Sequence, residues 1–294
     1  MTRTSLYVPG DSPERFDKAL ASGADTVICD LEDTVAEAAK PSAREAVANW
    51  LRGRSGAPVW VRVNNRPDLL NVDAAMIRSL VADGVGLAGV VVPKADPGAC
   101  ATDFGGCPVM ALIESAEGVL KVHKVASVPG VARLAMGEAD LAADMGMMPS
   151  HDGLEMWPIR TRVVVASVGA GLIAPCGPVF MDLDDDEGLA ATSESLRRLG
   201  FGGRSVIHPK QVAAVNAAFT PTAEEVAHAE AVMAELEAAA AEGRGVAVLD
   251  DKFIDTAVIR QARSVLARVP DRSPHPGGEL AANDAHSSAR RCSL

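Results

Sequence analysis

Hydrophobic residues along the chain form short continuous runs that alternate with longer segments of helical spacing. Apolar runs without polar alternation are typical of parallel strands that are covered on both faces. We predict eight such strands, at residues 5–8, 26–30, 59–63, 89–92, 109–113, 132–136, 172–175 and 205–207. The segments between them predict helices at residues 13–21, 41–51, 73–82, 116–126, 158–167, 186–199 and 210–218.

This alternation predicts an α/β fold, a TIM (β/α)8 barrel, over residues 1–220. Eight strands that alternate with helices in about 220 residues suit such a barrel. An open doubly wound sheet is the alternative, but it normally has fewer strands in one domain. No glycine-rich dinucleotide or phosphate-binding fingerprint follows any of the predicted strands, which also disfavours the open sheet.

Beyond the barrel, the pattern predicts a C-terminal extension over residues 221–269. An alanine- and glutamate-rich helix runs from Pro221 to about Glu242, a short strand follows at residues 246–249, and another helix covers about residues 255–269. From residue 270 to residue 294 the chain loses this periodicity and turns to proline, glycine, serine and asparagine. We therefore predict a disordered tail there.

Composition narrows the class of protein. The net charge is −11 without a basic stripe, which disfavours nucleic acid as a partner, and no apolar run approaches the roughly 20 residues of a membrane span. The five cysteines are scattered without a paired spacing, as in a reducing compartment. The N-terminus runs directly into the first strand, which leaves no room for a signal peptide. We expect a cytoplasmic enzyme that acts on small molecules and has no membrane partner.

Ionisable residues follow most of the predicted strands, and in a barrel the carboxyl ends of all strands converge on one mouth. Glu114 comes directly after the fifth strand, and Asp140 comes shortly after the sixth. Two carboxylates without a nearby histidine or cysteine suit Mg²⁺, which leaves coordination positions for water and substrate. Arg62, at the end of the third strand, offers a planar guanidinium to a substrate carboxylate or enolate oxygen.

Structural roles are an open alternative for these residues. Either carboxylate could form a salt bridge with Arg62 or Lys94, and Arg62 could instead pair with Glu32 or Asp33. His208 precedes a proline at the end of the eighth strand, and both a general base and a capping residue fit that position.

Seven motifs follow one another along the chain: residues 3–11 (RTSLYVPGD), 30–35 (DLEDTV), 61–64 (VRVN), 92–94 (VPK), 112–118 (LIESAEG), 137–146 (GEADLAADMG) and 207–212 (IHPKQV). In this order they resemble the citrate lyase β-subunit family, within the wider HpcH/HpaI aldolase group. The resemblance covers roughly residues 3–269. It is specific to the family and much less specific to a substrate.

The resemblance implies a barrel that depends on Mg²⁺, with Mn²⁺ as an alternative, and that makes or breaks a carbon–carbon bond beside a thioester. The thioester is usually one of coenzyme A. By their motifs, Glu114 and Asp140 correspond to the metal ligands, with Glu114 also facing the substrate, and Arg62 corresponds to the substrate-binding arginine. Tyr7 and Lys18 fall where some relatives contact the coenzyme.

Residues 250–255 (DDKFID) resemble the C-terminal lid of the lyases that act on coenzyme A thioesters, whose usual form is Gly-x-Met-Ile-Asp. This implies that Asp255 is a catalytic acid/base, which reaches a neighbouring subunit's site in a homotrimer or hexamer. Phe253 replaces the usual methionine, and Asp251 replaces the usual glycine. Ala139 stands where many relatives carry glutamate.

The function that the resemblance implies is cleavage or condensation of a β-hydroxyacyl-CoA, such as citramalyl-CoA or malyl-CoA. Cleavage would give acetyl-CoA, or another acyl-CoA, and a 2-oxo acid, and condensation would join the same two compounds. One alternative is a citrate lyase β subunit that acts on a citryl thioester of an acyl carrier protein. A class II-type aldolase fits the first motif poorly. The last alternative is a catalytically silent scaffold. A scaffold need not retain Arg62, Glu114, Asp140 and Asp255 together, so the presence of all four speaks against it.

Overall fold

The computed structural model of the chain describes residues 2–54, 56–250 and 252–269, in two compact units. The first unit ends at Phe219 and the second begins at Thr220. Asp251 of the predicted lid, and the predicted disordered tail at residues 270–294, lie outside the described residues.

The first unit is a closed barrel of parallel strands, which confirms the predicted fold. Its strands are β1 (Thr4–Pro9), β2 (Thr26–Asp30), β3 (Val59–Arg62), β4 (Gly89–Val92), β5 (Val109–Ile113), β6 (Val131–Met136), β7 (Ile173–Gly177) and β8 (Gly203–Val206). Each strand pairs with its sequence neighbour, and β8 pairs with β1 to close the sheet. An all-parallel barrel brings the carboxyl ends of its strands to one face.

Helices cover the outside of the barrel. They are α1 (Phe16–Leu20), α2 (Lys40–Arg52), α3 (Pro67–Ala82), α4 (Pro97–Cys100), α5 (Ala116–Ala126), α6 (Glu138–Asp144), α7 (Trp157–Gly169), α8 (Asp186–Leu199) and α9 (Val212–Phe219). The sequence pattern missed α4 and α6, which are too short to show a helical period, and it began α3 six residues late. Within the described residues, none of the helices combines the length and apolarity of a membrane span.

The barrel interior is a packed core. Inward-facing side chains from five strands form one cluster, with Tyr7 and Trp60 against it: Ile28, Val91, Met110, Leu112, Ala135 and Cys176. Gly89 makes room for Trp60, because a Cβ at residue 89 would lie 2.3 Å from the indole ring. The interior below the mouth is therefore filled with side chains, as in other TIM barrels.

The strand alternation places polar groups directly above this cluster. Side chains two residues apart on a strand lie on the same face. The residue two positions after an inward-facing core residue therefore also points inward. Asp30, Arg62 and Glu114 each lie two residues after a member of the inward-facing cluster or of its flank. All three consequently face the mouth at the carboxyl ends of β2, β3 and β5.

The second unit contains two helices and a short hairpin. Helix α10 (Ala223–Ala241) begins with a capping box between Thr222 and Glu225. Strands β9 (Val248–Leu249) and β10 (Lys252–Phe253) are antiparallel, and helix α11 (Thr256–Leu266) follows. Helices α10 and α11 pack through a small apolar cluster that includes Ala229, Val232 and Ala262.

Candidate active site

A bidentate ion pair joins the ends of β2 and β3. Arg62 donates from Nε to Asp30 Oδ1 and from Nη2 to Asp30 Oδ2, each at 2.6 Å. Asp30 is completely buried, and Arg62 is 7% exposed. Burial raises the pKa of Asp30, but the hydrogen bonds from Arg62 outweigh it, so the pKa lies below its usual value. The main structural partner of Arg62 is therefore Asp30, which the sequence analysis did not name.

Two more neighbours fix the guanidinium of Arg62. Nη1 lies 3.1 Å from Glu32 Oε2 and 3.7 Å from Asp33 Oδ2, so the pairing left open in the sequence is present as well. On another side, the ring centroid of Tyr7 lies 4.9 Å from the guanidinium carbon, within the range of a cation–π contact. Burial raises the pKa of Tyr7, which keeps the phenol neutral.

Glu114 leaves one carboxylate oxygen free at the mouth. Its side chain is almost fully buried directly after β5, and Oε1 accepts a 2.7 Å hydrogen bond from the backbone N–H of Lys94. Oε2 has no hydrogen bond or ion pair with any residue that the structure describes. Gly137 makes space for it, because a Cβ there would lie 2.5 Å from Oε2. Oε2 is therefore an unpaired oxygen that could ligate a cation.

Asp140 is the second free carboxylate. It lies in the first turn of α6, together with Glu138, and is exposed. Glu138 accepts hydrogen bonds from Arg160 at 2.6 and 2.7 Å, whereas Asp140 has no hydrogen bond or ion pair within the described part of the chain. Asp140 is near enough to Glu114 to raise the pKa of Glu114 electrostatically. The elements that follow β5 and β6 thus bring Asp140 within electrostatic range of Glu114, of which Oε2 alone is unpaired among the described residues.

Negative charge exceeds positive charge at this mouth. The acids are Asp30, Glu32, Asp33, Glu114 and Asp140, and the bases are Arg62 and Lys94. Burial raises the pKa of Glu114 to about 8, and the charges of Glu32 and Asp140 act in the same direction. Burial also raises the pKa of Glu32, although Arg62 opposes it. A divalent cation between the free carboxylates would reduce this repulsion.

The donor set suits a hard divalent cation. In the described ranges, no group of three or more histidine, cysteine, aspartate or glutamate side chains is arranged to hold a metal ion. The candidate donors are therefore the two free carboxylates, Glu114 and Asp140. Mg²⁺ is commonly held by one or two carboxylates, with water and substrate oxygens completing its octahedron. The residues present fit Mg²⁺ in that mode.

Three further sequence candidates are Lys18, His208 and Asp255. Lys18 is exposed on α1 and pairs with no described residue. His208 Nδ1 accepts a hydrogen bond from the backbone N–H of Lys210, which supports the capping alternative. In the second unit, Asp255 is exposed and caps α11, where its Oδ1 accepts a 2.8 Å hydrogen bond from the N–H of Val258. The catalytic role of Asp255 stays a prediction.

Three residues at the ends of strands had no predicted role in the site: Asp30, Asn65 and Lys94. Asp30 carried a usable signal, because the strand alternation turns it inward beside Arg62. Lys94 was considered only as a salt-bridge partner, and it lies with Nζ 2.6 Å from Glu32 Oε1. Asn65 donates from Nδ2 to the carbonyl oxygens of Pro93 and Lys94, a contact that no local pattern indicates.

Comparison with known proteins defines the family. The family model of the HpcH/HpaI aldolase/citrate lyase family matches residues 3–209. The chain therefore belongs to this family, and the predicted enzyme class, a carbon–carbon lyase, is confirmed at that level.

Individual relatives span nearly the whole chain. A (3S)-malyl-CoA thioesterase of Cereibacter sphaeroides is 34% identical, over 90% of this chain and 94% of the relative. An L-malyl-CoA/beta-methylmalyl-CoA lyase of the same organism is 31% identical, over 90% of this chain and 93% of the relative. The crystal structure of the protein CitE from Mycobacterium tuberculosis with magnesium, acetoacetate and coenzyme A is 30% identical. Its TM-score is 0.73, over 91% of this chain and 97% of that chain.

We predict that metal-free protein gains stability when Glu114 becomes glutamine, and more so at high pH. The folded pKa of about 8 exceeds the ordinary 4.5, so the wild type loses stability as the pH rises from 4.5 through 8. Glutamine does not ionise, so the variant does not lose stability in this way as the pH rises. In EDTA, Glu114→Gln should raise the thermal midpoint by roughly 2–8 °C at pH 9 and much less at pH 5. The exposed Glu117→Gln is the control, and an equal gain at both pH values would contradict the assignment.

We predict that Gly137→Ala weakens Mg²⁺ binding about tenfold or more. The backbone at Gly137 suits alanine, with φ −112°, but the new methyl group would displace the free oxygen of Glu114. Isothermal titration calorimetry with Mg²⁺ measures the change. Gly169→Ala, where a Cβ meets nothing within 4 Å, should bind as the wild type does. Equal binding by both variants would show that Glu114 holds no metal.

Proposed function

We propose that the chain is a Mg²⁺-dependent carbon–carbon lyase of a β-hydroxyacyl-CoA thioester, such as citramalyl-CoA or malyl-CoA. It releases, or condenses, acetyl-CoA or another acyl-CoA and a 2-oxo acid. The observation that carries the proposal is the pair of free carboxylates, Glu114 and Asp140, beside the fixed guanidinium of Arg62. The malyl-CoA lyase relative and the complex of CitE with magnesium, acetoacetate and coenzyme A support it.

Glu114 and Asp140 would hold Mg²⁺, or Mn²⁺ in its place. When bound, the cation supplies a Lewis acid that lowers the pKa of a substrate hydroxyl and offsets the charge of an adjacent carboxylate. Oε1 of Glu114 stays on the N–H of Lys94, which leaves Oε2 for this purpose. Glu138 is occupied by Arg160, so Asp140 is the free acid of the α6 first turn.

Arg62 would orient the oxo-acid end of the substrate and stabilise negative charge that develops there. Two of its nitrogens are held by Asp30, so the plane of the guanidinium is fixed before substrate arrives. A preorganised cation stabilises a transition state without the cost of reorganising at that moment. The ring of Tyr7 packs against the guanidinium, and we assign Tyr7 to this substrate-binding end.

Recognition of the coenzyme requires local positive charge, because the net charge of −11 repels a polyanion. Lys18 is exposed and unpaired within the described residues, as a phosphate contact would need to be. Asp255 would exchange the proton at the α-carbon of the thioester from a lid that excludes water. A lid that serves a neighbouring subunit requires an oligomer, and we propose a homotrimer or hexamer in the cytoplasm.

Thioester hydrolysis is the second candidate function, because the (3S)-malyl-CoA thioesterase is 34% identical to this chain. A citrate lyase β subunit that acts on an acyl carrier protein is the third, and the family description includes citrate lyases. A silent scaffold is disfavoured by Glu114 Oε2 and Asp140, which pair with no residue that the structure describes and which a scaffold need not retain.

We expect purified protein with malyl-CoA or citramalyl-CoA to release a 2-oxo acid and an acyl-CoA in equal amounts, without free thiol. A phenylhydrazone assay measures the oxo acid, and a thiol reagent measures free coenzyme A. Free thiol without oxo acid would instead establish the thioesterase, and activity only with carrier-bound citryl thioester would establish the citrate lyase subunit. EDTA should abolish turnover, and Mg²⁺ or Mn²⁺ should restore it. Full activity in EDTA would contradict the metal assignment.

We expect both Asp255→Asn and Asp255→Ala to abolish turnover while Mg²⁺ binding stays intact. The two substitutions separate catalysis from helix capping, since asparagine caps a helix as well as aspartate does, whereas alanine costs about 0.5–2 kcal/mol. Only Asp255→Ala should therefore lower the thermal midpoint. Wild-type turnover in Asp255→Asn would show that the carboxylate serves α11 and not the reaction.

A further inference from the structure

The turn after β4 adopts a strained backbone conformation at Lys94. Lys94 has φ 45°, and in the described ranges Asp250 is the only other non-glycine residue with a positive φ. L-residues other than glycine avoid this left-handed region because the Cβ crowds the backbone. Such conformations persist where surrounding contacts determine them, and they concentrate at functional sites.

Asn65 holds this turn. Its single amide nitrogen, Nδ2, donates to the carbonyl oxygens of Pro93 and of Lys94, each at 2.9 Å. On the other side of the turn, the N–H of Ala95 donates to the carbonyl oxygen of Leu112 in β5, at 3.0 Å. The strained residue is therefore clamped between the end of β3 and the neighbouring strand β5.

The left-handed conformation lets Lys94 serve two acids at once. Its backbone N–H donates to Glu114 Oε1 at 2.7 Å, and its Nζ donates to Glu32 Oε1 at 2.6 Å. The angle φ sets the direction of a residue's side chain relative to its own N–H bond, and at this value both groups of Lys94 face the mouth. With Oε1 of Glu114 occupied by the backbone, Oε2 is the oxygen that stays open.

We propose that Asn65 and Lys94 are positioning residues for Glu114: Asn65 holds Lys94 left-handed, and the N–H of Lys94 then directs the free oxygen of Glu114 toward the bound cation. This inference rests on the proposed function in assigning Glu114 to the metal. It predicts that Asn65, which has no contact with Glu114 in the structure, controls the affinity for the cation.

Lys94→Gly distinguishes this role from a merely structural one. Glycine adopts the left-handed region without strain and retains its backbone N–H. A glycine turn therefore needs no clamp, and it can still donate to Oε1 of Glu114. If Asn65 acts through Lys94, the glycine should rescue the loss of Asn65. If Asn65 only stabilises the barrel, the two substitutions should act independently.

The first measurement is Mn²⁺ affinity without substrate, by electron paramagnetic resonance. We expect Asn65→Ala to weaken binding at least tenfold relative to the wild type. Lys94→Gly also removes the ammonium group beside Glu32, so the double variant is compared with Lys94→Gly alone and should bind within threefold of it. Unchanged affinity in Asn65→Ala, or a double variant at least tenfold weaker than Lys94→Gly, would overturn the proposal. Asn71→Ala, at an exposed position of α3, is the matched control and should bind as the wild type does.

The second measurement needs no metal. In EDTA, Asn65→Ala should lower the urea midpoint of unfolding, and adding Lys94→Gly should recover most of that loss. Additive shifts would overturn the clamp. If wild type and Glu114→Gln bind Mn²⁺ equally, the metal site of the proposed function fails instead. The urea midpoints still decide in that case whether Asn65 holds the turn at Lys94.

Discussion

The mouth of this barrel depends on a carboxylate that is buried among other carboxylates. Glu114 lies almost fully out of water, with Glu32 and Asp140 near enough to oppose its ionisation. A buried charge is tolerated when it is paired, and the backbone N–H of Lys94 satisfies only one of its two oxygens. The arrangement is unfavourable for the isolated protein. A cation that binds only the folded state would recover that stability by mass action.

The fold supports this arrangement with backbone features more than with extra charge. Gly137 lets the turn before α6 approach Glu114 closely, and the left-handed Lys94 supplies a backbone N–H to Glu114 Oε1. The buried ion pair of the site uses Nε and Nη2 of Arg62 for Asp30, and Nη1 of Arg62 lies beside Glu32 and Asp33. Arg62 therefore keeps its orientation and leaves the free carboxylates unneutralised. The same residues thus preserve both the anionic pair and the neighbouring cationic group.

The sequence was sufficient for the barrel and for the residues that end its strands. Uninterrupted apolar runs identify buried parallel strands, and closure of the barrel then brings Arg62, Glu114 and Asp140 to one face without further information. The clamp by Asn65 was not accessible in this way. It depends on a side chain of one strand end meeting the backbone of the next turn, and lysine has no local preference for a positive φ. The capping role of Asp255 was accessible, since aspartate is a common residue before a first helical turn.

Cleavage of a carbon–carbon bond and hydrolysis of a thioester place different demands on the same barrel. Both would begin by binding a hydroxy acid at one end of the substrate, and in the proposed function Glu114, Asp140 and Arg62 would serve that end in either reaction. Cleavage then requires the electron pair to enter the thioester as an enolate, which water would protonate. Hydrolysis requires water at the thioester carbonyl. In the proposed function, the barrel mouth would therefore set the class of substrate, and the predicted lid would set the reaction. Residues around Phe253, where the lid-like motif departs from its usual form, are consequently where a lyase and a thioesterase of this family should differ.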